Sequence, residues 1–178
     1  MEFLSLLLRI NWKYVAVLAV IVALIAVYVK LFAVVLLLVA MILVSVFINY
    51  FHLRMLGIEL VTFATVILGI AYGPAIGAVV GLVFVLISLV FSGYFGIYYL
   101  WVVPQYAIVG YLVSGWADQN IVSLGLNITI ALQILNLVLT YLFDRYSFFS
   151  HIIYSVTNII FNFIIFALFG QMVLSVLG

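Results

Sequence analysis

The chain has 178 residues, 71% of them hydrophobic and 5% charged, with a formal net charge of +1 and a mean hydropathy of +1.59. A water-soluble domain is about a quarter charged because its surface must be hydrated, so lipid has to be the main solvent here and an integral protein of the cell membrane is expected. The absence of cysteine excludes disulfides, thiolate metal sites and a cysteine nucleophile, and near-neutral charge leaves no footprint for a nucleic-acid partner.

At about 20 apolar residues per crossing, the length accommodates roughly six or seven transmembrane helices and no extramembrane domain. The apolar runs are continuous and lack the alternation of a barrel strand, so the fold class expected is all-α: a compact membrane bundle forming a single domain over 1–178. Residues 1–13 carry Glu2 and Arg9 and end on Trp12 and Lys13, beside Tyr14, which reads as a short interfacial helix. No small-residue cleavage site leads into a polar start, so this segment is expected to be retained. Residues 14–50 are apolar apart from Lys30; one helix of that length would far exceed a bilayer, so crossings over 14–29 and 31–50 are expected.

Further crossings are expected at about 58–72, closing at Gly73-Pro74, then 75–91, 97–116, 121–143 and 149–177, with Asp118-Gln119-Asn120 and Asp144-Arg145 as polar turns. Short linkers make successive helices antiparallel neighbours. Gly69, Gly73, Gly77 and Gly81 recur every four residues, and Ala19 and Ala23 repeat the spacing. Such small-residue faces allow close backbone approach, either for packing within the chain or for docking a partner helix.

Polar side chains in lipid are costly unless they meet a partner or a cavity. Thr129, Gln133, Asn136 and Thr140 fall on one helical face, as do His151, Ser155, Asn158 and Asn162; Tyr98, Trp101 and Gln105 form a third stripe, and Glu59 and Thr62 open another helix. Antiparallel threading places Glu59, Tyr98, Trp101 and His151 in one half of the membrane, with Gln105, Gln133, Asn136, Asn158 and Asn162 nearer its middle. These nine residues are the candidate ligand-binding set: an aromatic wall for a flat molecule and amides that donate and accept. The competing reading is that the amides and hydroxyls hydrogen-bond between helices and fix the packing. Glu59 either orients a ligand or carries a proton, or sits at a helix start where the dipole favours it; Arg54 and His52 are its candidate partners. Pro104 leaves a carbonyl near Leu100 without its donor, beside Trp101 and Gln105. No metal site is expected, because His52, Glu59 and His151 lack a ligand spacing, and no cofactor or catalytic residue is expected, because HExxH, GxSxG and paired aspartates are missing. A non-enzyme is therefore expected.

Gly57-Ile58-Glu59-Leu60, Leu68-Gly69, the stretch from Tyr72 to Leu82 containing Gly73-Pro74, Gly77 and Gly81, and then Pro104 and Gly110 together resemble the central part of the substrate-binding S components of energy-coupling factor (ECF) transporters, over roughly a third of the chain. The MreD family of rod-shape proteins is partly similar over the same region. The S-component resemblance implies a helical bundle that binds a vitamin or other micronutrient from outside and docks on a coupling membrane subunit with two ATPase subunits. It also implies an Ala-xxx-Ala docking contact, which Ala19 and Ala23 match one crossing earlier in the count. The MreD likeness implies a structural subunit of a larger membrane complex. By charge, Arg9, Lys13, Arg54 and Arg145 lie on the side where the polar residues open and only Lys30 on the other, so the positive-inside rule makes that side cytoplasmic. The resemblance makes it external.

Overall fold

The computed structural model describes residues 12–93 and 96–177, and among them every regular element is helical. The interfacial helix expected over 1–13 lies almost wholly outside the described residues, and so do the side chains of Ala19 and Ala23. The first helix, α1, is assigned over Trp12–Tyr50 with no terminus at Lys30. The turn expected between 14–29 and 31–50 is therefore not formed. The reason is local: neither Gly nor Pro is present there to end the backbone hydrogen-bond ladder. By internal packing the chain divides into residues 1–35 and 36–178. In the first unit, Val17, Leu18, Tyr28 and Phe32 are exposed.

The second unit holds the remaining helices: α2 (Val61–Tyr72), α3 (Pro74–Phe91), α4 (Tyr99–Leu112), α5 (Ile121–Phe143), α6 (Phe148–Ile165) and α7 (Gln171–Leu177). Four helical stretches, Leu31–Tyr50, Pro74–Phe91, Ile121–Phe143 and Arg145–Leu177, are long and apolar enough to cross a membrane. Their outward residues are large and apolar, Leu43, Val79, Leu142 and Phe163 among them, which is a surface suited to lipid rather than water.

Three boundaries differ from the sequence expectation. α2 begins at Val61 rather than 58, because the segment before it is tied sideways. Gly57 N–H donates to Thr157 Oγ1 at 2.8 Å and its carbonyl accepts from Asn158 Nδ2 at 2.8 Å, which spends the groups a helix would use. The crossing expected over 97–116 is α4 followed by a tighter 3-10 turn, Val113–Trp116. The last crossing, 149–177, is α6 joined to α7 through a π-helical turn, Phe166–Gly170. There the Phe166 ring is fully buried, 5.1 Å from the Phe63 ring, over Gly125, where a side chain would collide with it.

Glycine builds the opposite seam. A Cβ on Gly77 would strike the Gly110 carbonyl and a Cβ on Gly110 would strike that of Gly77; Gly81 meets the Tyr106 carbonyl in the same way. α3 and α4 thus touch backbone to backbone, with Gly69 of α2 against Val113 and Gly110. Gly73 takes no part in this packing. Its φ of 87° makes the turn into Pro74, the first residue of α3, and no heavy atom lies within 4 Å of its missing side chain.

Candidate functional site

Glu59 is 8% exposed and precedes the start of α2. Its Oε2 accepts the Thr62 backbone N–H at 2.9 Å; its Oε1 accepts from the Thr62 hydroxyl at 2.6 Å, Asn162 Nδ2 at 3.1 Å and Asn158 Nδ2 at 3.2 Å. All four partners are neutral donors, the arrangement an acceptor-only carboxylate requires, and the first also belongs to the positive end of the helix dipole. Neither Arg54 nor His52, its candidate partners, forms an ion pair with it among the described residues. Arg54 is exposed and donates to Asn49 Oδ1 instead.

The network continues inward. Asn158 Oδ1 accepts from Gln133 Nε2 at 2.8 Å, and Gln133 Oε1 accepts from the Ser155 hydroxyl at 3.1 Å. The Thr62 hydroxyl also meets the Tyr106 hydroxyl at 2.9 Å. Four elements are joined in this way: the start of α2, α4, α5 and α6. Asn158 and Asn162 are fully buried and belong to this bonded layer, not to a cavity wall.

On the other side of Glu59 lies a cavity of about 100 Å³, lined by Glu59, Tyr98, Trp101, Gln133, Asn136 and His151 together with Arg54, Tyr106, Tyr154 and apolar side chains. By the volume one water occupies in the liquid, that is room for roughly three waters. The Tyr98 ring stacks on His151 at 4.7 Å and meets Trp101 edge-on at 5.5 Å; Trp101 stacks on Phe143 at 5.8 Å. The Tyr98 hydroxyl donates to Asp144 Oδ2 at 2.6 Å and holds that carboxyl below its ordinary range, with Ser147 adding to the effect. Trp101 Nε1 and Asn136 Oδ1 are buried without hydrogen-bond partners, whereas the His151 ring has the Ser147 carbonyl within hydrogen-bonding reach. Buried polar atoms in native proteins are nearly always satisfied, so two unsatisfied ones on residues that line one cavity are groups that water or a ligand would have to satisfy.

Six of the nine candidate residues therefore border one cavity, Asn158 and Asn162 form the layer behind it, and Gln105 belongs elsewhere. One turn past Trp101, about 6 Å along α4, Gln105 opens a second, apolar cavity of about 470 Å³ between α4 and α5, with Ile108, Leu112, Trp116, Asn127 and Leu135. Both atoms of its amide lack partners and the residue is 7% exposed. Sequence spacing groups Gln105 with Tyr98 and Trp101, but it borders the second cavity and not the first. Tyr106 and Tyr154 were missed as lining residues, because a tyrosine in an apolar run reads as core. Their positions next to Gln105 and Ser155 were the available signal. Among the described residues no group of three histidine or acidic side chains is placed to hold a metal ion. Set against known proteins, the chain matches no protein family, no curated protein and no solved structure.

Proposed function

We propose that the protein is the small-molecule-binding membrane subunit of an ECF-type uptake transporter, taking up a vitamin-like or other micronutrient and relying on other chains for ATP hydrolysis. It is then a multi-pass protein of the cell membrane with six crossings, α1 counting as one, in which the short helices α2 and α4 complete their crossings through the segments that flank them. The observation that carries this reading is the cavity beside Glu59, where an aromatic wall, the His151 ring and the unpartnered Trp101 Nε1 and Asn136 Oδ1 provide the mix of apolar surface and a few placed polar groups that a ligand site needs. The likeness of Gly57 to Leu60 and of the Gly73-Pro74 stretch to S components supports it. The chain has no phosphate-binding loop, so a coupling membrane subunit and two ATPases are the partners it calls for.

The second reading, an MreD-like scaffold subunit, draws on the groove around Gln105. A partner helix carrying an amide or hydroxyl at that depth would satisfy the stranded amide.

Purification from native membranes in mild detergent, with mass spectrometry of co-purifying proteins and small molecules, separates the two. Recovery of ATPases with a coupling subunit, or of a bound small molecule, supports the transporter reading. A stable complex with other membrane proteins, free of ATPase and ligand, overturns it in favour of the scaffold.

A further inference from the structure

We infer that the ligand of the cavity beside Glu59 carries an ammonium group, held between the aromatic rings and the Glu59 carboxylate. The inference rests on the ligand-binding reading of this cavity and specifies its chemistry.

Two observations carry it. The first is charge. Glu59 is a buried carboxylate whose four hydrogen-bond partners are all neutral, with no ion pair. A buried anion is costly until a cation compensates it, and while Oε1 takes three donors, Oε2 takes only the Thr62 N–H, which leaves it a free lone pair. The second is the wall. Tyr98, Trp101, Tyr106 and Tyr154 line the same cavity as that carboxylate, and aromatic faces around a carboxylate are the chemistry that recognises organic ammonium ions, whose methyl or methylene groups also suit an apolar lining. A hydrated metal ion gains little from rings, and an anion would be repelled. The volume of about 100 Å³ suits the ammonium head of such an ion, the remainder reaching toward the rim. Arg54, the one arginine or lysine on the lining, is exposed and bonded to Asn49. It stands at the rim, where it can receive a carboxylate at the far end of a zwitterion.

The test uses shape-matched pairs on the full chain in lipid nanodiscs, by titration calorimetry: choline and glycine betaine, each against its tert-butyl isostere, in which carbon replaces the charged nitrogen. The expected result is that the two ammonium compounds bind and the isosteres bind at least tenfold more weakly. Trp101→Leu, which leaves the Glu59 network untouched, should weaken the ammonium compounds by about tenfold without changing the unfolding temperature by more than a few degrees. Glu59→Gln should weaken them further if that variant folds. Arg54→Gln should weaken betaine but not choline. Equal binding of the isosteres, or unchanged binding in Trp101→Leu, overturns the ammonium inference and leaves the ligand-binding reading standing. Binding of none of the four overturns the ammonium inference, and the ligand-binding reading then stands or falls on whether a small molecule or the ATPase subunits co-purify from native membranes.

Discussion

The two seams of α2 are built by opposite means. Along its length toward Gly69 it joins α3 and α4 through glycines, with the backbone of Gly77 against that of Gly110; at its start it joins α5 and α6 through a chain of side-chain hydrogen bonds from Glu59 to Gln133. In lipid there is little hydrophobic gain from bringing two helices together, so association depends on close van der Waals contact or on polar bonds. The glycine seam takes the first course, leaving no room for a ligand. The polar seam takes the second, and because long side chains hold helices further apart, it leaves a cavity beside the network. Rigidity on one side and a hollow on the other are what a binding site on a fixed frame needs.

The contrast is most sharply tested by adding one methyl group. Gly110→Ala would drive a Cβ into the Gly77 carbonyl and the backbone at Ala78, and no flexible side chain is there to yield. The expected cost is about 3 kcal/mol or more, read as lost folded fraction in denaturant titration of the detergent-solubilised protein. Gly115→Ala meets no heavy atom within 4 Å and should leave stability within about 0.5 kcal/mol of the parent. Equal effects at the two positions would mean that the close approach of α3 and α4 is not a feature of the fold.

On the polar side the corresponding break is Asn158→Leu. It strands Gln133 Nε2 and the Gly57 carbonyl and removes one donor from Glu59, each a buried group left without its partner. A loss of about 2 kcal/mol is expected, measured by the same titration. A double-mutant cycle with Gln133→Leu should show strong coupling, since both act on one bond.

Much of this second seam was legible in the sequence. The spacing Gln133 and Asn136, and His151, Ser155, Asn158 and Asn162, puts each set on one face of a helix, and those faces do converge on Glu59. What the period does not encode is which polar groups bond to one another and which border open space. That depends on side-chain reach across the interface, so Asn158 and Asn162 look the same as Asn136 on a helical wheel although they belong to the bonded layer and Asn136 to the wall. The start of α2 was illegible for a related reason: Gly57 departs from the helix to bond with Thr157 and Asn158, residues about a hundred positions further on. The glycine ladder showed its spacing plainly, and Gly73-Pro74 showed the break within it, which the positive φ of Gly73 makes; the spacing did not show that Gly77 and Gly81 would meet Gly110 and Tyr106.

Gln105 sharpens the distinction in the other direction. Its amide has no partner, unlike that of Gln133, so Gln105→Leu removes a desolvation cost and no bond. Stability is expected to stay level or rise by about 1 kcal/mol, whereas Gln133→Leu should lower it. A glutamine that costs stability and is nevertheless present is the pattern expected of a functional position. Destabilisation by Gln105→Leu would instead place its amide in a bond within the chain.

The smallest effect lies at the mouth of the polar seam, in the pH dependence carried by Asp144. The Tyr98 hydroxyl, with help from Ser147, holds this carboxyl below its ordinary value of 3.8. A carboxyl whose folded pKa is depressed adds stability above its unfolded value and loses it as pH falls through the folded one. Tyr98→Phe removes the donor, so parent and variant should differ in unfolding temperature above about pH 4 and converge as the solution is acidified below it. The gap should be small, because Asp144 remains largely hydrated and screened by solvent. It should also be insensitive to Gly115→Ala, which lies far along the chain from this turn. A gap that widens on acidification would mean that the tyrosine hydroxyl favours the protonated acid, and that the aromatic wall at this mouth is held in place by something other than its bond to Asp144.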